Sequence, residues 1–304
     1  MLNMNVIFLL CTHVLGYTYT LQRQYSALQI ANGDGFSFFS APDPSNGQVN
    51  YVDGPTAKSL GLITYDPINA QVKIAAKHDA ISGIPNSVRI NSIQTFLGGL
   101  FIFDVAHLPA GCGSWPAIWM TAPPWPFKGE IDIIEGVHGT GTNVFSLHTT
   151  SGCFMNGNTC DITNNAGCQT IVQQANTFGT GFNNLGGGVV VLEWVPTSTG
   201  YIKYWQFTRN NIPNDIQIGQ PTPSLWGPPI VSYKFSPTCS AGYFRDLYFI
   251  INLTFCGDYA GTTFSIYCPN LGTCNDYIKN SATSLTEAYF LINNIQVYSG
   301  NWVF

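Results

Sequence analysis

Three carboxylates fall within six residues of an apolar, β-branched run, Gly129-Glu130-Ile131-Asp132-Ile133-Ile134-Glu135-Gly136. The chain contains only four glutamates, and two of them lie here. Clustered acids repel one another and lose hydration in a sheet, so folding stability does not favour them. A pair of carboxylates on one surface is what acid/base hydrolysis of a glycosidic bond requires, and the motif therefore indicates that chemistry.

Strand alternation places Glu130 and Asp132 on one face and Glu135 on the other. An unpaired carboxylate in the apolar layer would cost several kcal/mol. One extra residue in a β-bulge at Ile133–Ile134 returns Glu135 to the acidic face, and bulges are common beside active sites. We therefore predict a bulge there. One glutamate is then expected to be ionised and the other protonated, with Asp132 sharing a proton with a neighbour.

Two alternatives to catalysis are a solvent-exposed acidic strand and a calcium site. Exposed strand faces usually carry Lys or Arg among their acids, whereas the one nearby cation, Lys128, lies outside the alternation. Calcium loops are turns rich in Asp, Asn and Gly rather than isoleucine-rich strands. The pattern favours catalysis, and this chemistry requires no metal and no cofactor.

Three of the seven tryptophans, Trp115, Trp119 and Trp125, lie just upstream of the acidic run. Trp115 and Trp119 are four residues apart and share a face if one strand carries both. Trp125 is flanked by prolines, which predicts a loop. Tryptophan faces stack on sugar rings, so these residues are candidates for substrate binding, with core packing as the alternative for some of them.

The elements that must position these residues read as strands. With 31 Gly, 18 Pro and 9% charged residues, the composition predicts many short strands joined by turns, and hence an all-β sandwich or barrel. One weak helical pattern covers Ser284–Ala288, and the final run is expected to close the sheet. The strand-like runs are Val49–Val52, Val72–Ala75, Ser87–Ile90, Leu100–Val105, Ala117–Met120, Ile131–Ile134, Val144–His148, Val189–Val195, Tyr201–Phe207, Tyr248–Leu253 and Ala288–Tyr298.

The N-terminus reads as a secretory signal over residues 1–16, which leaves residues 17–304 as a single domain. Its apolar run is too short to span a bilayer, and no membrane association is expected. Eight cysteines remain after Cys11, an even number that fits up to four disulfides and an extracellular location. Three of them fall in the irregular stretch Gly152–Gly188, which we expect to be a loop held by disulfides near a cleft. The net charge of −5 argues against a nucleic-acid partner.

The acidic run, the preceding Gly111–Trp119 segment and the following Leu147-His148-Thr149 resemble glycoside hydrolase family 16. The acid spacing, with its extra residue, is similar to the laminarinase-like branch. Weaker matches keep the same order along the chain: Gln48–Asp53, Ser87–Ile90, Trp205–Arg209, Phe255–Gly261 and Ala288–Tyr298.

This resemblance implies a β-jelly-roll of two curved antiparallel sheets with a substrate groove on the concave face. It implies a retaining mechanism with Glu130 as nucleophile, Glu135 as general acid/base and Asp132 as the assisting acid. His148 would hydrogen-bond near the acids, and Asn50 and Arg89 would line the groove. Tyr259 stands where fungal relatives commonly carry Trp, which would make one stacking platform smaller.

The function expected from these features is that of a secreted, monomeric endo-β-glucanase. It would cut internal β-1,3 bonds, or β-1,4 bonds next to them, in a β-glucan. The alternatives are a non-catalytic glucan-binding protein, and a transglycosylase or galactanase on the same scaffold. The sequon Asn252-Leu253-Thr254 is expected to be unglycosylated or to face outward, since a glycan in the groove would block substrate.

Overall fold

Two large antiparallel β-sheets face each other in the computed structural model, which describes residues 16–162, 167–280 and 285–303. The strands of these described residues are β1 (Tyr19–Ser26), β2 (Phe36–Phe38), β3 (Asn50–Tyr51), β4 (Ile63–Asp66), β5 (Gln71–Ala75), β6 (Lys77–His78), β7 (Pro85–Ser87), β8 (Arg89–Ser92), β9 (Gly99–His107), β10 (Ser114–Thr121), β11 (Glu130–Glu135), β12 (Val144–His148), β13 (Phe154–Met155), β14 (Asn158–Thr159), β15 (Cys168–Ile171), β16 (Gly188–Val195), β17 (Tyr201–Thr208), β18 (Val231–Lys234), β19 (Tyr248–Phe255) and β20 (Tyr289–Gly300).

The helices are short and lie in the connections between strands. They are α1 (Ala27–Asn32), α2 (Gly54–Ser59), α3 (Gly179–Asn184), α4 (Asn214–Gln217), α5 (Thr262–Tyr267) and α6 (Cys274–Asn280), together with 3-10 turns at Arg209–Asn211, Pro223–Leu225 and Ala241–Tyr243 and a π-helical turn at Gly257–Gly261. None of the helices in the described part of the chain combines the length and the apolar character needed to cross a bilayer.

One sheet, which we call the cavity sheet, has the strand order β15-β12-β11-β10-β19-β8-β2. The second sheet has the order β18-β17-β16-β9-β20-β5-β4, with β1 added alongside β20. Aromatic and β-branched side chains from both sheets fill the space between them. Phe103 of the second sheet, for example, meets Phe249 of the cavity sheet edge to face, with 5.9 Å between ring centroids. The predicted sandwich of antiparallel sheets is confirmed.

Each strand-like run named from the sequence contains a strand, but several strands were missed. The strand β1 is mostly exposed, so it lacks the apolar alternation that marks a half-buried strand, and it is ordered by backbone pairing with β20. The final run does not close a sheet edge: β20 lies inside the second sheet, with β9 on one side and β5 and β1 on the other. Position along the chain does not determine position in a sheet.

The helical pattern at Ser284–Ala288 is wrong in its extent: Leu285 has a 3-10 conformation, Thr286 and Glu287 form a turn, and Ser284 lies outside the described residues. The predicted signal at residues 1–16 also falls outside them, apart from Gly16. The stretch Gly152–Gly188 is less irregular than expected. It carries β13, β14, β15 and α3, and β15 forms the edge of the cavity sheet.

All eight cysteines after Cys11 are paired, as their even number predicted. Cys153–Cys239 and Cys160–Cys168 hold the Gly152–Gly188 stretch. Cys112–Cys268 and Cys256–Cys274 attach the helical segment around α5 and α6 to the ends of β10 and β19. Such links restrict the unfolded chain and thereby stabilise loops that have little core of their own.

Candidate active site

A cavity of about 580 Å³ runs across the cavity sheet from β15 to β8. Its walls contain six aromatic or imidazole rings and five acids. The lining residues are Asp43, Pro44, Ser45, Arg89, Trp115, Ala117, Trp119, Thr121, Ala122, Pro123, Trp125, Glu130, Asp132, Glu135, His148, Gln169, Tyr248, Asn252, Thr254, Asp258 and Tyr259. The structure therefore brings together every site residue predicted from the sequence except Asn50.

The acidic strand β11 enters the cavity sheet through a turn that only glycine fits. Gly129 has φ 80°, and a Cβ there would lie 2.5 Å from the carbonyl oxygen of Tyr243. The next residue, Glu130, begins β11 opposite Thr121 of β10. The direction in which the first acid enters the cavity is thus set by the backbone just before it.

The predicted bulge is present. Along β10, Trp119 is paired with Asp132 and Ile118 with Ile134, so Ile133 is the extra residue without a partner on β10. Beyond the bulge, Glu135 is paired with Ala117. All three acids are consequently opposite β10 residues that line the cavity, and all three line it themselves.

Two of the tryptophans hold the two glutamates. Trp125 Nε1 donates to Glu130 Oε2 at 2.7 Å, and Trp115 Nε1 donates to Glu135 Oε1 at 2.8 Å. Sequence reasoning assigned these indoles to sugar stacking and did not foresee hydrogen bonds to the acids. A hydrogen bond donated to a carboxylate stabilises its ionised form and fixes its orientation.

His148 lies next to two of the acids, as predicted. His148 on β12 is the strand partner of Glu130 on β11. Its Nε2 lies 3.2 Å from Asp132 Oδ2 and 3.9 Å from Glu130 Oε1. The contact with Asp132 lacks the alignment of a hydrogen bond, because the same Asp132 oxygen has no hydrogen-bond partner among the described residues. His148 therefore lies beside the acids, but the hydrogen bond expected from the resemblance is not made to Asp132.

Burial raises the pKa of all three acids. It raises the pKa of Asp132 to about 8. Burial, and then the charge of Asp132, raise the pKa of Glu135 to about 8 and lift the pKa of Glu130 well above its ordinary value. Three buried carboxyls this close cannot all be ionised, so the cluster retains at least one proton at neutral pH.

Glu130, Asp132 and His148 each offer a ligand atom, and these atoms lie within 4.8 Å of one another. Calcium prefers six to eight oxygen ligands from a flexible loop. Two carboxylates and an imidazole on adjacent strands do not supply such a set, so the calcium alternative is a poor chemical fit to these residues.

Away from the acids, Arg89 stacks over Trp119, with 5.1 Å from its guanidinium carbon to the ring centroid. Trp119 Nε1 in turn donates to Asn252 Oδ1 at 2.7 Å, and Asn252 Nδ2 donates to the hydroxyl of Tyr51 at 3.0 Å. Both ends of the Asn252 amide are used, and the residue is 93% buried. Of the two expectations for this sequon, the outward placement is wrong, because Asn252 lines the cavity, and the absence of a glycan stays a prediction.

Tyr259 lines the same cavity and meets Trp115 edge to face, with 5.7 Å between ring centroids and 89° between ring planes. It sits in the π-helical turn next to Cys256, which the Cys256–Cys274 disulfide fixes. Asn50, by contrast, is exposed outside this cavity and donates from Nδ2 to Asn86 Oδ1 at 2.6 Å. A role for Asn50 in the groove receives no support from this placement.

Asn143 is a site residue that the sequence did not reveal. Its side chain accepts from the backbone N–H of Glu135 at 2.9 Å and donates to the carbonyl of Ile133 at 2.9 Å. It lies in a polar turn between two strand-like runs, where asparagine is common, and no local pattern separates it from other turn residues. Only its position, next to a bulge that itself was predictable, could have drawn attention to it.

A two-sheet β-sandwich with paired carboxylates in an aromatic cavity defines a protein of the glycoside hydrolase class. A family model described as an XgeA-like, catalytic GH16 domain matches residues 36–298, and the chain belongs to glycoside hydrolase family 16. The laminarinase-like resemblance in the sequence is confirmed at the level of the family.

Among curated proteins, a probable glycosidase of Schizosaccharomyces pombe is 39% identical over 92% of this chain and 69% of its own length. A probable endo-1,3(4)-beta-glucanase of Aspergillus clavatus is 34% identical over 91% of this chain. The chain spans only 46% of the length of that second relative.

Two solved structures share the fold closely. Laminarinase 16A from Phanerochaete chrysosporium, with two beta-glucans in its donor and acceptor sites, is 36% identical with a TM-score of 0.84, and the match covers 93% of this chain and all of that one. An elongating GH family 16 beta-1,3-glucosyltransferase is 32% identical with a TM-score of 0.84 and the same coverage. The predicted β-jelly-roll is confirmed.

Proposed function

We propose that this protein is a retaining endo-β-glucanase that cuts internal β-1,3 bonds, and β-1,4 bonds next to them. The observation that carries the proposal is the bulge, which turns Glu135 into the cavity that Glu130 and Asp132 also line. The likeness to Laminarinase 16A with its bound beta-glucans supports the substrate class.

Glu130 is proposed as the nucleophile that attacks the anomeric carbon. For this it must be ionised, which burial and the negative charge of Asp132 oppose. A proton held on Asp132 removes that second cause. The Trp125 hydrogen bond and the nearby His148 then favour the Glu130 carboxylate. Asp132 is thus the assisting acid, with a pKa of about 8 that keeps it protonated at neutral pH.

Glu135 is proposed as the general acid/base. A pKa of about 8 keeps its proton available for the leaving oxygen in the first step. After the leaving sugar departs, the same carboxylate takes a proton from water, which attacks the glycosyl–Glu130 ester and releases the product with its configuration retained.

The shape of the cavity supports attack within a chain rather than at its end. Lining residues extend on both sides of β11, to His148 and Gln169 in one direction and to Asn252 and Arg89 in the other. A polymer can therefore continue past the acids in both directions. The aromatic walls suit the apolar faces of neutral sugar rings.

The decisive experiment is Glu130→Gln assayed on laminarin by the release of reducing ends. Activity at the wild-type rate would overturn the assignment of the nucleophile. No hydrolysis by the wild-type protein, despite binding, would instead favour the glucan-binding alternative. Proton NMR of the first products tests retention directly, because the β anomer must appear before mutarotation.

Transfer to a sugar acceptor is the second candidate, and the glucosyltransferase relative is the observation that favours it. Transfer uses the same glycosyl-enzyme, with a sugar hydroxyl in place of water. Chain-length analysis of products from a short laminari-oligosaccharide separates the two: hydrolysis gives only shorter chains, and transfer also gives longer ones.

We further propose that the protein is secreted, that residues 17–304 form a catalytic domain, and that it acts as a monomer. The four disulfides support an oxidising compartment. N-terminal sequencing of protein recovered from culture medium should begin near Tyr17, and size-exclusion chromatography with light scattering should give a single-chain mass.

A further inference from the structure

Asn143 takes over the hydrogen bonding of the cavity sheet at the point where its backbone pairing stops. Pairing between β11 and β12 ends at Asp132 and Ser146, and Asn143 is the residue just before β12. Its Oδ1 accepts from Glu135 N–H, and its Nδ2 donates to the Ile133 carbonyl. One side chain therefore satisfies the Ile133 carbonyl and the Glu135 N–H, which lie beyond the point where pairing with β12 ends.

Asn143 is itself fixed to the opposite sheet. It is fully buried, and its Nδ2 also donates to the hydroxyl of Tyr204 on β17 at 3.0 Å. Its backbone N–H donates to Thr177 Oγ1 at 3.0 Å. The Asn143 amide therefore makes three hydrogen bonds: Oδ1 accepts from Glu135 N–H, and Nδ2 donates to the Ile133 carbonyl and to the Tyr204 hydroxyl. Exchanging the oxygen and the nitrogen would break all three, so the side chain has one orientation.

Glu135 is then fixed from two sides. Trp115 holds its carboxyl, and Asn143 holds its backbone nitrogen. We propose that Asn143 is a positioning residue for Glu135, which sets the bulge that places the Glu135 carboxyl over the scissile bond. Asn143 does not touch substrate. The inference rests on the proposed role of Glu135 as general acid/base.

The test uses Asn143→Ala and two substrates. Laminarin needs its leaving oxygen protonated, whereas a dinitrophenyl β-laminaribioside leaves without help from an acid. A carboxyl displaced by about 1 Å can lower the rate roughly 100-fold. We expect kcat on laminarin to fall by about that factor with little change in KM, and kcat/KM for the aryl substrate to fall only a few-fold. A lower fraction of folded protein would instead reduce the activity on both substrates by the same factor.

Tyr204→Phe is the matched control. It removes the third hydrogen bond of the Asn143 amide, together with the bond from the Tyr204 hydroxyl to Gln206, and leaves both bonds to the bulge. It should lower thermal stability in the same direction as Asn143→Ala while retaining laminarin activity within about threefold. The basic limb of the pH profile provides a second readout. This limb depends on the pKa of Glu135. Burial and the charge of Asp132 raise that pKa, the Trp115 hydrogen bond and His148 lower it, and the charge of Glu135 in turn raises the pKa of Tyr259. This limb should move to lower pH in Asn143→Ala alone, since a displaced Glu135 is less buried.

Equal losses on both substrates, or an equal loss and an equal pH shift in Tyr204→Phe, would overturn the inference. If Asn143→Ala does not fold, hydrogen exchange in the wild-type protein decides. The Glu135 amide should exchange slowly, and rapid exchange would show that the Asn143 bond is not formed. An inactive wild-type protein would refute the proposed function, which this exchange measurement does not address.

Discussion

The indole N–H of Trp125 donates a hydrogen bond of 2.7 Å to Oε2 of Glu130, the proposed nucleophile. Trp115 makes the equivalent bond, at 2.8 Å, to Glu135. Each glutamate is therefore held by its own tryptophan, one from the loop after β10 and one from β10 itself. Both bonds favour the ionised carboxylate and so oppose the effect of burial on its pKa.

Trp125→Phe should move the acidic limb of the laminarin pH profile to higher pH. The ring remains, but the donor that lowers the pKa of Glu130 is lost, so the nucleophile ionises later. A hydrogen bond to a charged group contributes about 1.5–3 kcal/mol, which corresponds to a roughly 10- to 100-fold loss of kcat/KM below the new limb. Trp119→Phe is the comparison, since its indole bonds Asn252 and not an acid. It should raise KM and leave the limb in place.

Trp115→Phe should move the other limb, the basic one, to higher pH. Its bond lowers the pKa of Glu135, so its removal keeps the acid protonated further into the alkaline range. Activity above about pH 8 should rise relative to the optimum, although the optimum itself falls because the carboxyl is less well oriented. A pH profile with only the acidic limb displaced would contradict this assignment of the two acids.

Asp132→Asn should make the folded protein more stable at pH 8 than the wild type. The folded Asp132 binds its proton more tightly than the unfolded chain does, so its contribution to stability is present below the ordinary value of 3.8 and is lost as pH rises towards 8. We expect the free energy of unfolding to rise by roughly 2 kcal/mol. Each unit of pKa change corresponds to about 1.36 kcal/mol, and the gain is smaller than the full shift would give because the neighbouring glutamates share the proton. The variant should lose most activity.

Thermal unfolding at pH 4 and pH 8 measures this difference. The gain at pH 8 should shrink towards zero at pH 4, where Asp132 is protonated in the folded wild type. Asp34→Asn, on an exposed turn, provides the control and should follow the wild type at both values. If the wild type were more stable than Asp132→Asn at pH 8, burial of Asp132 would not destabilise the folded protein at that pH.

Asn252 should carry no glycan in active protein from a glycosylating host. Its amide bonds Trp119 and Tyr51 inside the cavity, and a glycan on Nδ2 would fill the groove. Intact mass before and after peptide N-glycosidase should be unchanged. A glycan at Asn252 in fully active enzyme would mean that the side chain points elsewhere.

The strands and the acidic face followed from the sequence because both depend on neighbours along the chain. A continuous apolar run marks a strand buried on both faces, as in β9 and β16, and no such signal exists for β1, which is largely exposed. The bulge was also a local deduction. Glu135 is out of phase with Glu130 and Asp132, and one extra residue is the smallest correction that keeps a charged group out of the core.

Contacts between distant residues were decided only by the tertiary structure. The disulfide between Cys112 and Cys268 joins positions 156 residues apart. The spacing of the cysteines along the chain does not determine which of the many possible pairings forms. The same limit hid the indole bonds to the acids, the burial of Asn252, the exposed position of Asn50 and the role of Asn143. Each depends on which side chain two folded sheets bring within hydrogen-bond range, and short-range periodicity carries no information about that distance.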